Sequence, residues 1–239
     1  MTHSDVRVIN VVQARLASSR FPGKALAELG GMSLVEWVGR RCRMSRATTE
    51  VVFAIPNVPS SAPLRQHLRN SGFRVHSGTA AENDVLARVF QAASSMSAEV
   101  VVRTCADRPL VDPDLIDHTV EAFLLGDRDD IAYSHQPDAA NSWDLGFGVE
   151  VLARSTLEAI HRSASLPAHR EHVTLLAYED PSLRVRCVPP PRELAELMTG
   201  GTRFDVDLPS DLERLREILI GADHRITAAE VLRRAGRSG

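Results

Sequence analysis

The chain has 239 residues, 44% of them hydrophobic and 5% aromatic, with a formal net charge of −3 at pH 7. That length and apolar content make one domain with a substantial core, while the charge balance and scarce aromatics argue against nucleic acid and membrane surfaces and leave small molecules as partners. Cys42, Cys105 and Cys187 are odd in number and far apart, which argues against a disulfide framework or a metal knuckle and suits a reduced, cytoplasmic protein, and no apolar run reaches the roughly 18–20 residues of a membrane span.

Val6, Val8, Ile9, Val11 and Val12 read as a buried parallel strand. The loop Gln13–Lys24 follows, with Arg15, Arg20 and Lys24 among small residues, and Ser33 then caps a helix carrying Leu34, Val35, Trp37 and Val38. Strand, basic loop and helix is the order in which α/β proteins build phosphate sites. A second strand spans Glu50–Ile55, a helix runs through Leu64, Leu68 and Asn70, and a third strand covers Phe73–His76. The stretch Glu82–Met96 has Val85, Leu86, Val89, Phe90 and Ala93 on one helical face. Glu99–Thr104 is the strongest strand, and Asp114–Leu124 its succeeding helix. This alternation predicts a mostly parallel sheet covered on both faces.

The second half is less regular. Phe147–Leu152 and Leu183–Val188 read as strands, and Ser155–His161 and Glu171–Tyr178 as helices. Asp207–Leu219 is a proline-started helix with Leu212, Leu215, Ile218 and Leu219 as its stripe, and Arg233–Gly239 a frayed tail.

Basic residues around phosphates call for acidic partners that hold Mg²⁺. Two aspartates have the same setting: Asp107 in Asp107-Arg108-Pro109 after a strand, and Asp207 in Asp207-Leu208-Pro209 before a helix. Each spacing exposes a carboxylate at the sheet's carboxyl edge. Taken singly, the three cations read equally as solvated surface charges and the two aspartates as helix caps. Their coincidence in one alternating chain favours a phosphate site.

In order along the chain, Gln13-Ala14-Arg15, Ser18, Arg20, Pro22-Gly23-Lys24, Asn83-Asp84-Val85-Leu86-Ala87-Arg88, Val101-Val102-Arg103, Asp107-x-Pro109-Leu110-x-Asp112-Pro113, Arg170-Glu171-His172-Val173-Thr174 and Val206-Asp207-x-Pro209-x-Asp211-Leu212 resemble the cytidylyltransferases of spore-coat polysaccharide synthesis. That group is similar in turn to the CMP-Kdo and CMP-sialic acid synthetases. The resemblance implies a three-layer α/β/α, Rossmann-like nucleotidyltransferase fold over residues 1–239, a dimerisation arm at about 132–150 and 165–190, and a homodimer. It also implies transfer of CMP from CTP to a small anionic acceptor with loss of pyrophosphate. Arg15 and Lys24 would hold the triphosphate with Arg20 as a weaker third, Ala14 would line the nucleotide, and Asp107 and Asp207 would hold Mg²⁺. Ser77, Gly78, Asp84 and Arg88 would contact base and ribose. Arg170, His172 and Glu150 would face the acceptor, although His172 and Glu171 read equally as helix-surface residues.

The chain departs from the family pattern in three places. Ala17-Ser18-Ser19-Arg20 replaces Gly-Ser-Thr-Arg; Cys105-Ala106-Asp107-Arg108-Pro109 replaces Thr-Gly-Asp-Cys-Pro; Leu145-Gly146-Phe147-Gly148-Val149-Glu150 replaces Asp-Gly-Leu-Asp-Val-Glu. The acceptor therefore stays open between a 3-deoxy sugar acid, another sugar and a phosphonate. Two other readings stay open as well. A glycosyltransferase would use Asp205-Val206-Asp207 or Asp112-Pro113-Asp114 as its Asp-x-Asp, and a non-catalytic nucleotide-binding protein would use neither. Cys105 reads as core rather than nucleophile, and His118, His135 and His161 lack zinc spacing.

Overall fold

The computed structural model describes residues 6–126, 129–134, 146–198 and 201–236. Nine strands are described: β1 Val8–Gln13, β2 Glu28–Leu29, β3 Met32–Ser33, β4 Glu50–Ala54, β5 Arg74–His76, β6 Val100–Cys105, β7 Ile131–Tyr133, β8 Glu150–Ala153 and β9 Val185–Cys187. The helices are α1 Leu34–Met44, α2 Ala62–Asn70, α3 Val85–Ser95, α4 Pro113–Leu125, α5 Arg154–Ser163, α6 Pro167–Glu171, α7 Leu175–Glu179, α8 Arg192–Ala195, α9 Pro209–Ile218 and α10 Ala228–Ala235. Seven strands form one sheet in the order β5-β4-β1-β6-β8-β7-β9, and β2 and β3 form a small hairpin. The pairs β1·β4, β1·β6, β4·β5 and β7·β9 are parallel, whereas β8 is antiparallel to both β6 and β7.

The period of two in β1 builds the layers. Val8 and Val12 pack with α1, α2 and α4 through Val35, Val38, Leu64, Leu68, Ile116 and Val120. Ile9 and Val11 pack on the opposite face with Leu86 and Val89 of α3 and Leu157 and Ile160 of α5. The result is the expected α/β/α sandwich, with the sheet apolar on both sides. A third cluster joins α9 and α10 to the body through Trp37, Phe147 and Phe204. Arg41, with no exposed surface, anchors this attachment. Its Nε donates to the Val111 carbonyl (2.7 Å), its Nη1 to those of His224 and Ile226 (2.8 and 2.6 Å), and its Nη2 meets Asp112 Oδ2 at 3.4 Å. Asp112 also caps α4 by accepting from the Asp114 and Leu115 amides, and it takes the Ala228 amide. Asp112-Pro113-Asp114 is thus a structural joint, and its buried carboxylate is unavailable as half of an Asp-x-Asp metal motif.

Two expectations need correction. The helix anticipated over Glu171–Tyr178 is two short helices, because His172 is extended (φ −102°, ψ 93°) and the chain turns there to bury Val173 and Thr174. Arg233–Ala235 are not a frayed tail but the last turn of α10, whose amphipathic stripe packs Val231 and Leu232 inward; the hydroxyl of Thr227 caps that helix at Glu230 N. Within the anticipated arm, residues 135–145 lie outside the described residues, and the described remainder supplies β7, β9, α6 and α7 to the main sheet and one of its covering layers.

Candidate active site

The strand order decides where a ligand can sit. The chain runs outward from β1 to β4 and β5, then returns through α3 to place β6 on the other side of β1. In open α/β sheets the crevice lies outside the carboxyl ends at such a reversal. The loop Ala14–Lys24 leaves β1 there, the turn Cys105–Arg108 leaves β6 there, and antiparallel β8 begins there with Glu150 beside Arg103. Between them lies a cleft of about 610 Å³, within the usual range for small-molecule sites.

Lys24 is the centre of the cleft's charge. Gly23 takes a left-handed conformation (φ 74°), closed by its amide on the Leu16 carbonyl at 3.2 Å, and this turn starts the short 3-10 segment Lys24–Leu26. The Lys24 ammonium then donates to the Val206 carbonyl (2.7 Å), Asp107 Oδ2 (3.2 Å) and Asp207 Oδ1 (3.3 Å). Arg20, largely exposed, reaches Asp207 Oδ2 at 3.0 Å. Two backbone devices hold the aspartates in place. The Val206 amide donates to the Asp107 carbonyl at 2.8 Å, and Asp211 Oδ2 accepts from the amides of Asp207 and Leu208 at 2.9 and 2.8 Å. Lys24 is also the only lysine in the chain, against 27 arginines. That compositional signal, visible in the sequence, singles it out from the other two loop cations.

Asp107 and Asp207 suit a hard divalent cation. Their carboxylates converge on one positive centre, and no cluster of three His, Cys, Asp or Glu side chains is found among the described residues. Two carboxylates with the remaining positions left to water and phosphate oxygens is how Mg²⁺ is commonly held at nucleotide sites.

The far wall is a buried polar network. Arg103 Nη1 meets Glu150 Oε2 at 2.9 Å and its Nε donates to Gln13 Oε1 at 3.0 Å. Glu150 Oε1 accepts from Thr174 Oγ1 at 2.9 Å and from the Tyr178 hydroxyl at 3.3 Å. Burial and the Glu150 charge push the Tyr178 phenol upward, so it stays a proton donor. Arg15 faces Glu171 at 3.3 Å, both exposed. Arg88 is buried, with Nη1 directed at the carbonyls of Ala81 and Glu82 and no hydrogen-bond partner for Nε. Burial, and then the Arg15 charge, bring its pKa down to about 10.

Of the residues anticipated from sequence, Ala14, Arg15, Arg20, Lys24, Arg88, Asp107, Glu150, His172 and Asp207 line this cleft. Ser77, Gly78, Asp84 and Arg170 do not. Asp84 caps α3 at Ala87 N (2.9 Å) and pairs with Arg170 at 2.5 Å. Arg170 is held further by the His161 carbonyl at 2.8 Å. These two join α3 to α6. In the sequence Gln13, Arg103 and Thr174 entered only within motifs, Glu171 read as a helix-surface residue, and Tyr178 had no site role. The Arg103–Glu150 pair is set by the antiparallel register of β6 and β8, which no local pattern announces. Cys105 lines the cleft beside Arg103, and burial raises its thiol pKa, against a nucleophilic role.

A family model described as Cytidylyltransferase matches residues 9–232. The spore coat polysaccharide biosynthesis protein SpsF of Bacillus subtilis is 29% identical over 233 residues, 94% of this chain and 92% of that protein. The 3-deoxy-manno-octulosonate cytidylyltransferase of Bdellovibrio bacteriovorus is 25% identical over 251 residues, 90% of this chain and 98% of that enzyme. Among solved structures, a cytidylyltransferase from Leptospira borgpetersenii shares the fold at a TM-score of 0.87 and 22% identity, over 98% of this chain and 95% of that one. Because the family match runs from β1 into α10 and takes in every element that frames the cleft, the chain belongs to the cytidylyltransferase family and is a CTP-dependent nucleotidyltransferase.

Proposed function

We propose that the protein transfers CMP from CTP to the hydroxyl of a small sugar acid, releasing pyrophosphate, with Mg²⁺ held by Asp107 and Asp207. The observation that carries this reading is the convergence of Lys24, Asp107 and Asp207 at the sheet reversal, with Arg15 on the same loop. It supplies cations for a triphosphate and a carboxylate pair for a metal in one place. The acceptor oxygen bonds to the α-phosphorus while the bond to the β-phosphate bridging oxygen breaks; pyrophosphate leaves with that electron pair and the hydroxyl proton passes to water. Mg²⁺, when bound, offsets the charge that builds on the phosphate oxygens. Lys24 exchanges its carboxylate partners for phosphate oxygens, and Arg15 exchanges Glu171 for the same. Both cations are worth more as the equatorial oxygens gain charge, which is where positioning and electrostatics lower the barrier.

The buried, unpartnered Arg88 Nε and Glu82 Oε1, together with Ser77 Oγ and Gln91 Oε1 in the same condition, support the nucleoside lying toward β5 and α3. This puts Ser77, Gly78, Asp84 and Arg88 on the nucleotide side, reached if the 77–84 segment shifts on binding. The acceptor then lies toward β6 and β8, over Glu150, His172 and Tyr178, with Arg170 behind them. A cytoplasmic homodimer belongs to the same reading; no described helix is long and apolar enough to cross a membrane. Incubating the protein with CTP, Mg²⁺ and 3-deoxy-manno-octulosonate or related sugar acids should release pyrophosphate in step with CMP-sugar formation. Pyrophosphate release from none of them, or transfer from UDP-sugars instead, would refute the proposal.

A further inference from the structure

Most cations that line the cleft are neutralised in turn: Lys24 by Asp107 and Asp207, Arg20 by Asp207, Arg15 by Glu171 and Arg103 by Glu150. Arg88 has no acid partner, but it is buried and turned to the carbonyls of Ala81 and Glu82; the other cleft cation without one among the described residues is Arg108. It lines the same cleft, half-buried, and its guanidinium makes one long contact, Nη1 to the Gly148 carbonyl at 3.4 Å. The nearby acid Asp205 is taken by Arg203, at 2.5 and 3.1 Å. A guanidinium has five N–H donors in a fixed fork, so most of this one's capacity is unspent.

Its position separates it from the triphosphate cations. Lys24 and Arg15 come from the β1 loop. Arg108 leans the other way, toward Gly148, two residues ahead of β8. Its backbone is pinned at both ends of the turn, by Arg108 N on the Cys105 carbonyl (3.2 Å) and Val111 N on the Arg108 carbonyl (3.1 Å). The fork is therefore presented from a fixed base on the acceptor side, directly after the aspartate that faces the reacting phosphate. A planar guanidinium of this kind pairs with a carboxylate through two parallel hydrogen bonds.

Resting on the cytidylyl-transfer reading above, we propose that Arg108 selects the acceptor by binding its carboxylate, so that the substrate is a hydroxy acid and not a neutral sugar. The probe is a matched pair, 3-deoxy-manno-octulosonate and its C1 amide, titrated onto protein saturated with CTP and Mg²⁺ and followed by calorimetry and pyrophosphate release. Wild type should bind the acid roughly 10- to 100-fold more tightly than the amide, the range for a hydrogen bond to a charged group. Arg108→Gln should abolish that preference and raise the acid's KM by the same factor with kcat and the KM for CTP little changed, and Arg108→Lys should restore part of it. Equal or absent binding of acid and amide by wild type, a preference surviving in Arg108→Gln, or an effect falling on the KM for CTP would overturn the inference while CTP binding stands. Failure of CTP to bind wild type would overturn the underlying reading and this inference with it.

Discussion

Replacing Lys24 by methionine removes one positive charge and keeps the length of the side chain. In the free protein the ammonium is mostly buried and holds two carboxylates at 3.2 and 3.3 Å and a carbonyl at 2.7 Å. At an effective dielectric constant of about 20, each ion pair at that separation is worth about 5 kcal/mol of Coulomb energy, most of it offset by desolvation. The net cost of the substitution is then about 2 kcal/mol, as for other hydrogen bonds to charged groups. For a chain of this size that lowers Tm by roughly 4–8 °C. The same change leaves Asp107 and Asp207 facing one another with Arg20 and Arg203 still on Asp207, so Mg²⁺ without nucleotide should bind the variant more tightly than wild type and recover much of the lost Tm. Turnover should move the other way, falling on the order of 10²–10³-fold as the triphosphate loses a preorganised cation. Calorimetric melts with and without Mg²⁺, beside steady-state rates, separate these effects. An unchanged Tm, or no gain in Mg²⁺ affinity, would refute the reasoning.

Asp107→Asn keeps the volume and removes the charge; it should cut kcat by at least about 10²-fold while the circular dichroism spectrum stays native, and a near-normal rate would remove Asp107 from the site. Arg41→Ala strands Asp112 in the core and frees the carbonyls of Val111, His224 and Ile226, which should cost about 3–5 kcal/mol in denaturant unfolding; a cost under about 1 kcal/mol would show that α9 and α10 are held by the apolar cluster alone. Burial holds His76, His161 and His224 below their ordinary pKa of 6.5. The unfolded chain then binds more protons just below pH 6.5, so the stability they contribute is full above that pH and is lost as it falls toward 5. Tm measured from pH 7 to pH 5 should decline, the decline should shrink in a variant with all three changed to glutamine, and an unaltered profile in that variant would assign the pH effect elsewhere.

The first half of the chain could be read from its sequence because each element there is locally determined. Val8–Val12 has the β-branching of a buried strand, Ser33 accepts from Glu36 N as its placement before an apolar stripe implied, and Val100–Thr104 pairs with β1 along its whole length. Asp107 and Asp207 were legible as strand-end and helix-start carboxylates, but their meeting at Lys24 depends on one long-range backbone bond, Val206 N to the Asp107 carbonyl. Elements fixed by distant partners were not legible. Ile131–Tyr133 is three residues long and becomes a strand only between β8 and β9, and the break at His172 exists because Thr174 must reach Glu150. The pairing of Asp84 with Arg170 across α3 and α6 is likewise a long-range contact that neither residue's local sequence announces.

The most direct test of the account is thermal stabilisation by CTP, UTP, ATP and GTP, each with Mg²⁺. A ligand at about 100 times its Kd stabilises the native state by about 2.7 kcal/mol, a rise of roughly 5–11 °C here. The account predicts that rise for CTP, reduced in Lys24→Met. Equal shifts with all four nucleotides, or none with CTP, would contradict it.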